Sequence, residues 1–462
     1  MVKLVIAVVY MTVMIMVGII CSKKIKNYED FTIAGRNIPF WRNVHSISAS
    51  AIGAGATMGV AGMVFADGIS GLWLGIGAAL GLLFCGLFLA KKLRESGKIT
   101  VPDIMKEQYG QKVADWITVL NLFALIALTA GQVRALGTIT QTFIPSLSIL
   151  QACIVMGIVM ITYTVLGGLV AASYTDSINM IIMIIAVMVV LPILSITNTG
   201  GFAVMAQKLP PSYFDPWASG LLGILGILMW IIPTNFVSQE NFLRICGAKN
   251  ATEAKGATIT ASLMIYLPYF LMCAVIGLAG ALLFPDVVNA DSILPTMIDR
   301  LTGPVVGGLL LAGLLAAVVS TSGSLLLITS VNITDNVIKR MYPNVEESKM
   351  VYISRVCVVC VGIASIIIAN FASSIVGIMQ DVSAPYTSAI LPIIVAGFFW
   401  KKATSKGAIA TIIVAVVTST GWWIAKQPWG IHHIIVSLIC SSLTMIIVSL
   451  ATQKDLSIKK EA

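Results

Sequence analysis

Residues 46–59 read Ser-Ile-Ser-Ala-Ser-Ala-Ile-Gly-Ala-Gly-Ala-Thr-Met-Gly, and a further glycine follows at 62. Almost every side chain here is small, yet the stretch sits inside an apolar run spanning 43–66. Two readings compete. Small residues at helical intervals let neighbouring membrane helices approach closely. Alternatively, glycine costs about 1 kcal/mol at each helix-interior site, so Gly53, Gly55, Gly59 and Gly62 mark a helix that unwinds. Backbone freed at membrane depth is tolerated only where it lines a cavity or is buried in protein. A second candidate interruption, Pro233-Thr234-Asn235, falls five spans later. Interrupted helices at corresponding positions of two halves point to a transporter binding site.

The remainder of the chain requires lipid around it. Of 462 residues, 58% are hydrophobic and 11% charged, against roughly 45–50% and about 25% in soluble domains. A spanning helix needs about 20 apolar residues. Such runs occur at 2–21, 43–66, 71–90, 113–140, 148–166, 168–196, 218–242, 257–284, 304–333, 350–370, 374–400, 407–425 and 431–452. About thirteen transmembrane helices follow. No long polar segment separates them, so residues 1–462 read as one all-α membrane transport domain. Spans two to six (43–196) and seven to eleven (218–400) form two inverted repeats. Five helices in each give the halves opposite orientation, and 1–42 and 401–462 supply accessory helices.

A net charge of +9 does not point to nucleic acid, because the basic residues form short clusters between apolar runs. Lys23, Lys24, Lys26, Arg36 and Arg42 form the first. Lys91, Lys92, Arg94 and Lys98 follow, then Arg244, Lys249 and Lys255, then Lys339 and Arg340, then Lys401, Lys402 and Lys406, and finally Lys454, Lys459 and Lys460. Intervening loops carry little positive charge. Lys/Arg-rich loops face the cytoplasm, so the chain is an integral protein of the cytoplasmic membrane with its N-terminus outside and its C-terminus inside. The first span imitates a signal peptide, but its heavier charge follows the apolar core, against the signal pattern. The span is therefore retained. The eight cysteines, including Cys357-x-x-Cys360, read as packing residues. His45, His432 and His433 have no carboxylate cluster at ligand spacing. No enzyme constellation lies at membrane depth, and no feature marks an obligate protein partner.

Polar residues inside the spans carry the function. An ionisable group in the bilayer is costly and is a functional candidate by default. Asp176 shares a face with Thr175 and Asn179. It is either an interfacial residue near a helix start or part of a cytoplasmic ion exit path. Gln132 and Arg134 lie in the outer half of the fourth span, and the guanidinium either pairs structurally or grips an anion with its fork. In the ninth span, Ser320, Thr321, Ser322 and Ser324 follow Ala316-Ala317. Back-bonding to the helix explains any one of these hydroxyls. Together with carbonyls freed by a broken second span, they would supply about five oxygens, near the low end of cation cages.

These residues bear a family resemblance. The chain resembles the sodium:solute symporters, which include sodium/glucose, sodium/proline, pantothenate and sialic acid transporters. The likeness rests on Tyr28–Trp41 (YEDFTIAGRNIPFW), the small-residue second span, Tyr163–Asp176 (YTVLGGLVAASYTD) and Asn235–Arg244 (NFVSQENFLR) with Ala254-Lys255. It continues through the Ala-Ala-Val-Val-Ser-Thr ending at Thr321, and Gly397–Lys402 (GFFWKK) leading to Gly407-Ala408. The resemblance implies a leucine-transporter-like fold of five-plus-five inverted repeats, alternating access and Na+ coupling. It implies a sodium site of Ala49, Ile52, Ala317, Ser320 and Thr321, with Asp176 on the exit path. Ala51 stands where the proline transporters carry aspartate, and Ala51 and Ala56 stand near the sugar transporters' Asn and Gln. Arg134 matches in position an arginine that sialic acid members use on the substrate carboxylate, which leans toward a carboxylate-bearing solute.

The expectation is therefore a sodium-coupled symporter importing a small organic solute by alternating access. The solute site is expected among Gly53, Gly55, Thr57, Gln132, Arg134, Trp230, Asn235, Gln239 and Tyr386. Two alternatives stay open at this point. One is a proton-coupled symporter that titrates Asp176, and the other is a non-accumulating sensor or channel.

Overall fold

The computed structural model describes residues 2–22, 36–98, 100–371 and 374–453. The Lys23–Lys26 cluster, most of the Tyr28–Trp41 motif and the C-terminal lysines lie outside them, as do the side chains of 168–174. Among the described residues the chain is helical, without strands, apart from one isolated bridge between Ile38 and Ala248.

After α1 (Val2–Ser22), the helix expected over 43–66 is in two pieces, α2 (Phe40–Ala51) and α3 (Ala54–Asp67). Ile52 leaves helical geometry at φ −82°, ψ 48°, and Gly53 is extended at φ −87°, ψ −162°. The break falls at the first of the four glycines. The other three continue α3, where they serve the close-packing role. The chain then turns through Gly68–Leu72 into α4 (Trp73–Phe84). A methyl group at Gly71 would lie 2.5 Å from the Met63 carbonyl carbon, so the chain folds back tightly there and only glycine fits.

Twelve helical stretches among the described residues are long and apolar enough to cross a bilayer. One of them, Ala54–Ser96, covers 43 residues. As a single straight helix it would be about 65 Å long, twice a hydrocarbon core. The Gly68–Leu72 turn divides it, which restores the expected thirteen.

Next come α5 (Gln111–Phe143) and α6 (Ile149–Met183). The Tyr163 and Thr175 hydroxyls are 2.6 Å apart, although twelve residues of straight helix would separate them by about 18 Å. The segment therefore does not run straight between them. The second half opens with α7 (Gly220–Phe236) and α8 (Gln239–Gly247). Pro233 does not break α7. The interruption comes at Val237-Ser238, just beyond the Pro233-Thr234-Asn235 segment where it was expected. The Thr234 hydroxyl and Asn235 amide donate to the Trp230 and Ile231 carbonyls and keep the last turn occupied. Ser238 then caps α8 by accepting from the Asn241 N–H.

Four further helices matter for the site: α9 (Leu267–Leu283), α10 (Pro304–Ile333), α11 (Ile375–Phe399) and α12 (Ser405–Ile424), followed by α13 (His433–Ala451). In α10, 83% of the most apolar window is buried, against 22% in α1. Helix α10 is thus the central post of the bundle, packed against α1, α5 and α6.

The basic loops gather at one end. Arg94 donates to the Ala248 and Lys249 carbonyls, Arg36 to Gly97, and Lys92 to Phe398. The turn at Gly68 lies with the other end, where Trp73 donates to Pro216 and Tyr213 to Phe65.

Candidate functional site

The helix break, α5 and α10 meet at one point. The Ala54 N–H, the first donor of α3, gives its hydrogen bond to Gln132 Oε1 at 2.9 Å. The Thr321 hydroxyl lies 3.1 Å from the Ala49 carbonyl and 3.0 Å from the Ala317 carbonyl. A hydroxyl has one proton to donate, so Thr321 can satisfy only one of these two carbonyls at a time, while the Ala317 carbonyl also accepts its ladder N–H within α10. A cluster of three oxygens suits a hard cation. Of the five expected sodium ligands, Ala49, Ala317 and Thr321 are in direct contact. Ile52 sits at the break, its N–H bonded to Ser48. Ser320 is adjacent along α10, but its hydroxyl donates to Asp176 Oδ1.

Asp176 is completely buried. Ser46 donates to its Oδ2 at 2.9 Å, and Arg244 Nη2 stands 3.4 Å from the same oxygen. Arg244 is equally enclosed. It donates to Ser324 at 2.7 Å and Ser46 at 3.1 Å, and lies 3.8 Å from Glu240 one turn earlier. One guanidinium therefore ties α8 to α2, α6 and α10. A carboxylate and guanidinium buried together are stable only while both stay paired. The neighbouring Asn179 donates to the Ala316 carbonyl and accepts from Tyr10, which engages the rest of the polar face of α6.

Beside the break is a cavity of about 120 Å³ walled by Gly53, Gly55, Gln132, Trp230, Asn235 and Thr321, with Glu240, Phe270 and Met379. Pockets for drug-sized ligands run to roughly 300–1,000 Å³, so this space fits a small molecule. A second, smaller cavity shares Leu128, Thr234, Ser238, Glu240 and Leu325 with the first, and adds Gln239 and Tyr386. Among the described residues, the buried Tyr386 hydroxyl and Gln239 amide nitrogen have no hydrogen-bond partner. Buried polar atoms are nearly always satisfied, so these two suit water or solute.

Seven of the nine expected solute residues thus line the two adjoining cavities. Thr57 does not. It is buried against the Tyr269 hydroxyl at 3.0 Å. Arg134 is not on the cavity wall either. It lies half-buried on α5, within electrostatic reach of Asp291, whose carboxylate accepts from the Ile375 N–H.

The sequence left several site residues unassigned. Glu240 and Arg244 stand four apart in Gln-Glu-Asn-Phe-Leu-Arg, one helical turn, which was a legible signal for a pair. Met379 was not legible. Its sulfur lies 3.0 Å from where a Gly55 side chain would start, and only the fold brings α11 there. The histidines also differ from expectation, since Asp381 of α11 stands beside both His432 and His433. About fifty residues of chain separate them.

This architecture is that of known transporters. The chain superposes with a TM-score of 0.82 on the structure titled "Substrate-bound outward-open state of a Na+-coupled sialic acid symporter reveals a novel Na+-site", at 15% identity and covering 98% of this chain and 97% of that one. Against a nucleobase-cation-symport-1 family transporter in a closed conformation the TM-score is 0.60 at 12% identity, covering 91% and 95%. The fold is leucine-transporter-like. By sequence, the chain belongs to the sodium:solute symporter family, whose profile it matches over residues 31–415. It is 26% identical to the high-affinity proline transporter PutP of Bacillus subtilis (strain 168), over 95% of this chain and 96% of that protein. It is also 26% identical to the sodium/proline symporter of Escherichia coli (strain K12), over 96% and 91%. The chain is therefore a multi-pass membrane transporter and not an enzyme, and sodium is its coupling ion.

Proposed function

We propose that the protein imports a small carboxylate-bearing solute together with sodium by alternating access. The observation that carries the reading is the meeting of the Ala49 carbonyl, the Ala317 carbonyl and the Thr321 hydroxyl between the helix break and α10. Sodium completes that cluster with Ile52 and Ser320, once the Ser320 hydroxyl turns from Asp176. It thereby fastens the broken helix to α10. Residues 43–196 and 218–400 act as inverted repeats around this site, with the N-terminus outside and the C-terminus in the cytoplasm. The gathering of basic loops at one end supports that orientation.

The solute occupies the cavity beside the break. The first-turn N–H groups of Gly55 and Ala56 have no intrahelical acceptor, and a half-helix N-terminus attracts an anion. That favours a carboxylate there, with Gln132, Trp230, Asn235, Gln239 and Tyr386 as polar partners. Arg134 lies outside the wall, so the reading assigns the anion to the helix end. Glu240 on the same wall suits a solute that also carries a positive group, as amino acids do. The proline-transporting relatives point the same way. Asp176 serves the exit path when its contacts with Ser46, Ser320 and Arg244 part.

Reconstitution into proteoliposomes decides it. Uptake of radiolabelled amino acids and monocarboxylates should accumulate above the outside concentration only with an inward sodium gradient. Uptake that equilibrates without accumulating, or that follows a pH gradient at fixed sodium, would remove the reading.

A further inference from the structure

The side chains at the start of α13 face one carboxylate of α11. His433 Nε2 lies 3.1 Å and His432 Nε2 3.7 Å from the same oxygen, Oδ1 of Asp381. The two rings stack at 4.3 Å between centroids. One ligand atom from each of the three residues falls within 4.8 Å of the others. In a tetrahedral zinc site with bonds of about 2.0–2.1 Å, ligand atoms stand about 3.3 Å apart. The observed pairs straddle that value, so small side-chain rotations would bring all three onto one ion.

The surroundings fit as well. His433 is 1% exposed and its Nδ1 is 2.9 Å from the Ser419 hydroxyl of α12. A hydroxyl can accept as well as donate, so it holds the His433 ring while Nε2 is free to ligate. His432 Nδ1 accepts from the Ile434 N–H at 3.3 Å. Ligation through its Nε2 moves the imidazole proton to Nδ1 and gives up that long contact. Asp381 and His432 are partly exposed, which leaves an entry path and a fourth position for water. Two imidazoles and one carboxylate suit zinc and its first-row neighbours rather than sodium, calcium or magnesium.

We propose that Asp381, His432 and His433 form a zinc-class transition-metal site that pins α11 to α13 and slows transport when filled. Helix α11 carries Met379, Ser383 and Tyr386 on the cavity walls. A change of access that moves this helix against α13 parts Asp381 from the two histidines. A metal bridging them opposes that movement. The slowing of transport rests on the symport reading above, whereas metal binding does not.

Isothermal calorimetry with zinc on the purified full chain, stripped with a chelator, tests the site directly. One ion should bind per chain, and Asp381→Asn and His432→Ala should each weaken binding at least tenfold. Both positions are partly exposed, and circular dichroism with a melting curve checks that the variants fold. Equal zinc affinity in wild type and both variants overturns the site. In proteoliposomes, zinc added at saturation should slow uptake by the wild type and leave His432→Ala unaffected. Undiminished wild-type uptake with zinc bound overturns the pinning. Absent uptake in zinc-free vesicles would count against symport itself, and calorimetry would still decide the metal site.

Discussion

The Thr321 hydroxyl stands 3.1 Å from the Ala49 carbonyl, linking residues 272 positions apart in the chain. It stands as close to Ala317 and can satisfy only one of the two. Removing the hydroxyl takes one oxygen from the proposed cage but leaves both carbonyls. Thr321→Ala should raise the sodium concentration for half-maximal uptake by about tenfold, equivalent to about 1.4 kcal/mol. Thr321→Ser keeps the oxygen and should stay near wild type. Equal sodium dependence in the alanine and wild-type proteins would remove Thr321 as a ligand. Ser320→Ala should shift in the same direction, since its hydroxyl lies one position away.

Gly53 leaves no room for a side chain. A methyl group there would come 2.7 Å from Thr321 Cγ2 and 3.0 Å from Gln132 Oε1. Both neighbours belong to the proposed sites, so the clash would push α3 away from α5 and α10. Gly53→Ala should insert and melt within a few degrees of wild type, yet lose at least tenfold in uptake. Gly97→Ala is the control. It also lies in a loop and has nothing within 4 Å, but its φ of +68° disfavours a side chain without touching the site. If Gly53→Ala transports normally, the break is looser than the contacts indicate.

Asp176 and Arg244 are both fully buried and share Ser46 as a hydrogen-bond partner. Deleting one charge strands the other in a dry setting, a loss of about 3–5 kcal/mol for such pairs. Arg244→Gln should therefore lower the melting midpoint of the purified protein more than Asp176→Asn, because it leaves the carboxylates of Asp176 and Glu240 together. The double variant Asp176→Asn/Arg244→Gln should melt higher than Arg244→Gln alone. Additive losses would show that the two residues act independently.

Much of this was legible before the fold was known. The number of spans and their alternating loops follow from hydropathy and Lys/Arg placement, properties local to the chain. The first break was legible because Gly53 concentrates a local helix penalty. The second was misplaced, since Pro233 removes one N–H yet stays inside the helix, where the Thr234 and Asn235 side chains add hydrogen bonds to the Trp230 and Ile231 carbonyls. Contacts between distant elements left no local trace. Nothing near Asp381 announces His432 and His433, and nothing near Met379 announces Gly55. Arg134 shows the converse. Its place in the chain left a substrate or a structural partner open, and the fold keeps it off the cavity walls and within electrostatic reach of Asp291.

Asp291 gives a pH dependence that can be checked outside the membrane core. It lies in the short turn Ala290–Ser292, where its side chain accepts from the Ile375 N–H at the start of α11. Burial raises its carboxyl above the usual carboxylate range, and the Ile375 hydrogen bond and Arg134 only partly oppose this. A carboxyl raised by folding holds its proton more tightly in the folded state than in the unfolded one. Its contribution is therefore most favourable below the ordinary value of about 3.9 and declines as pH rises through the folded value. Asparagine keeps an oxygen for Ile375 and carries no charge to bury. The melting midpoint of the wild type minus that of Asp291→Asn should thus fall as pH rises above about 4. Arg134→Gln removes the nearby positive charge and should steepen the fall in an otherwise wild-type chain. A difference that grows with pH would mean that Arg134 and the α11 N-terminus outweigh burial, and that the pair is a true ion clamp.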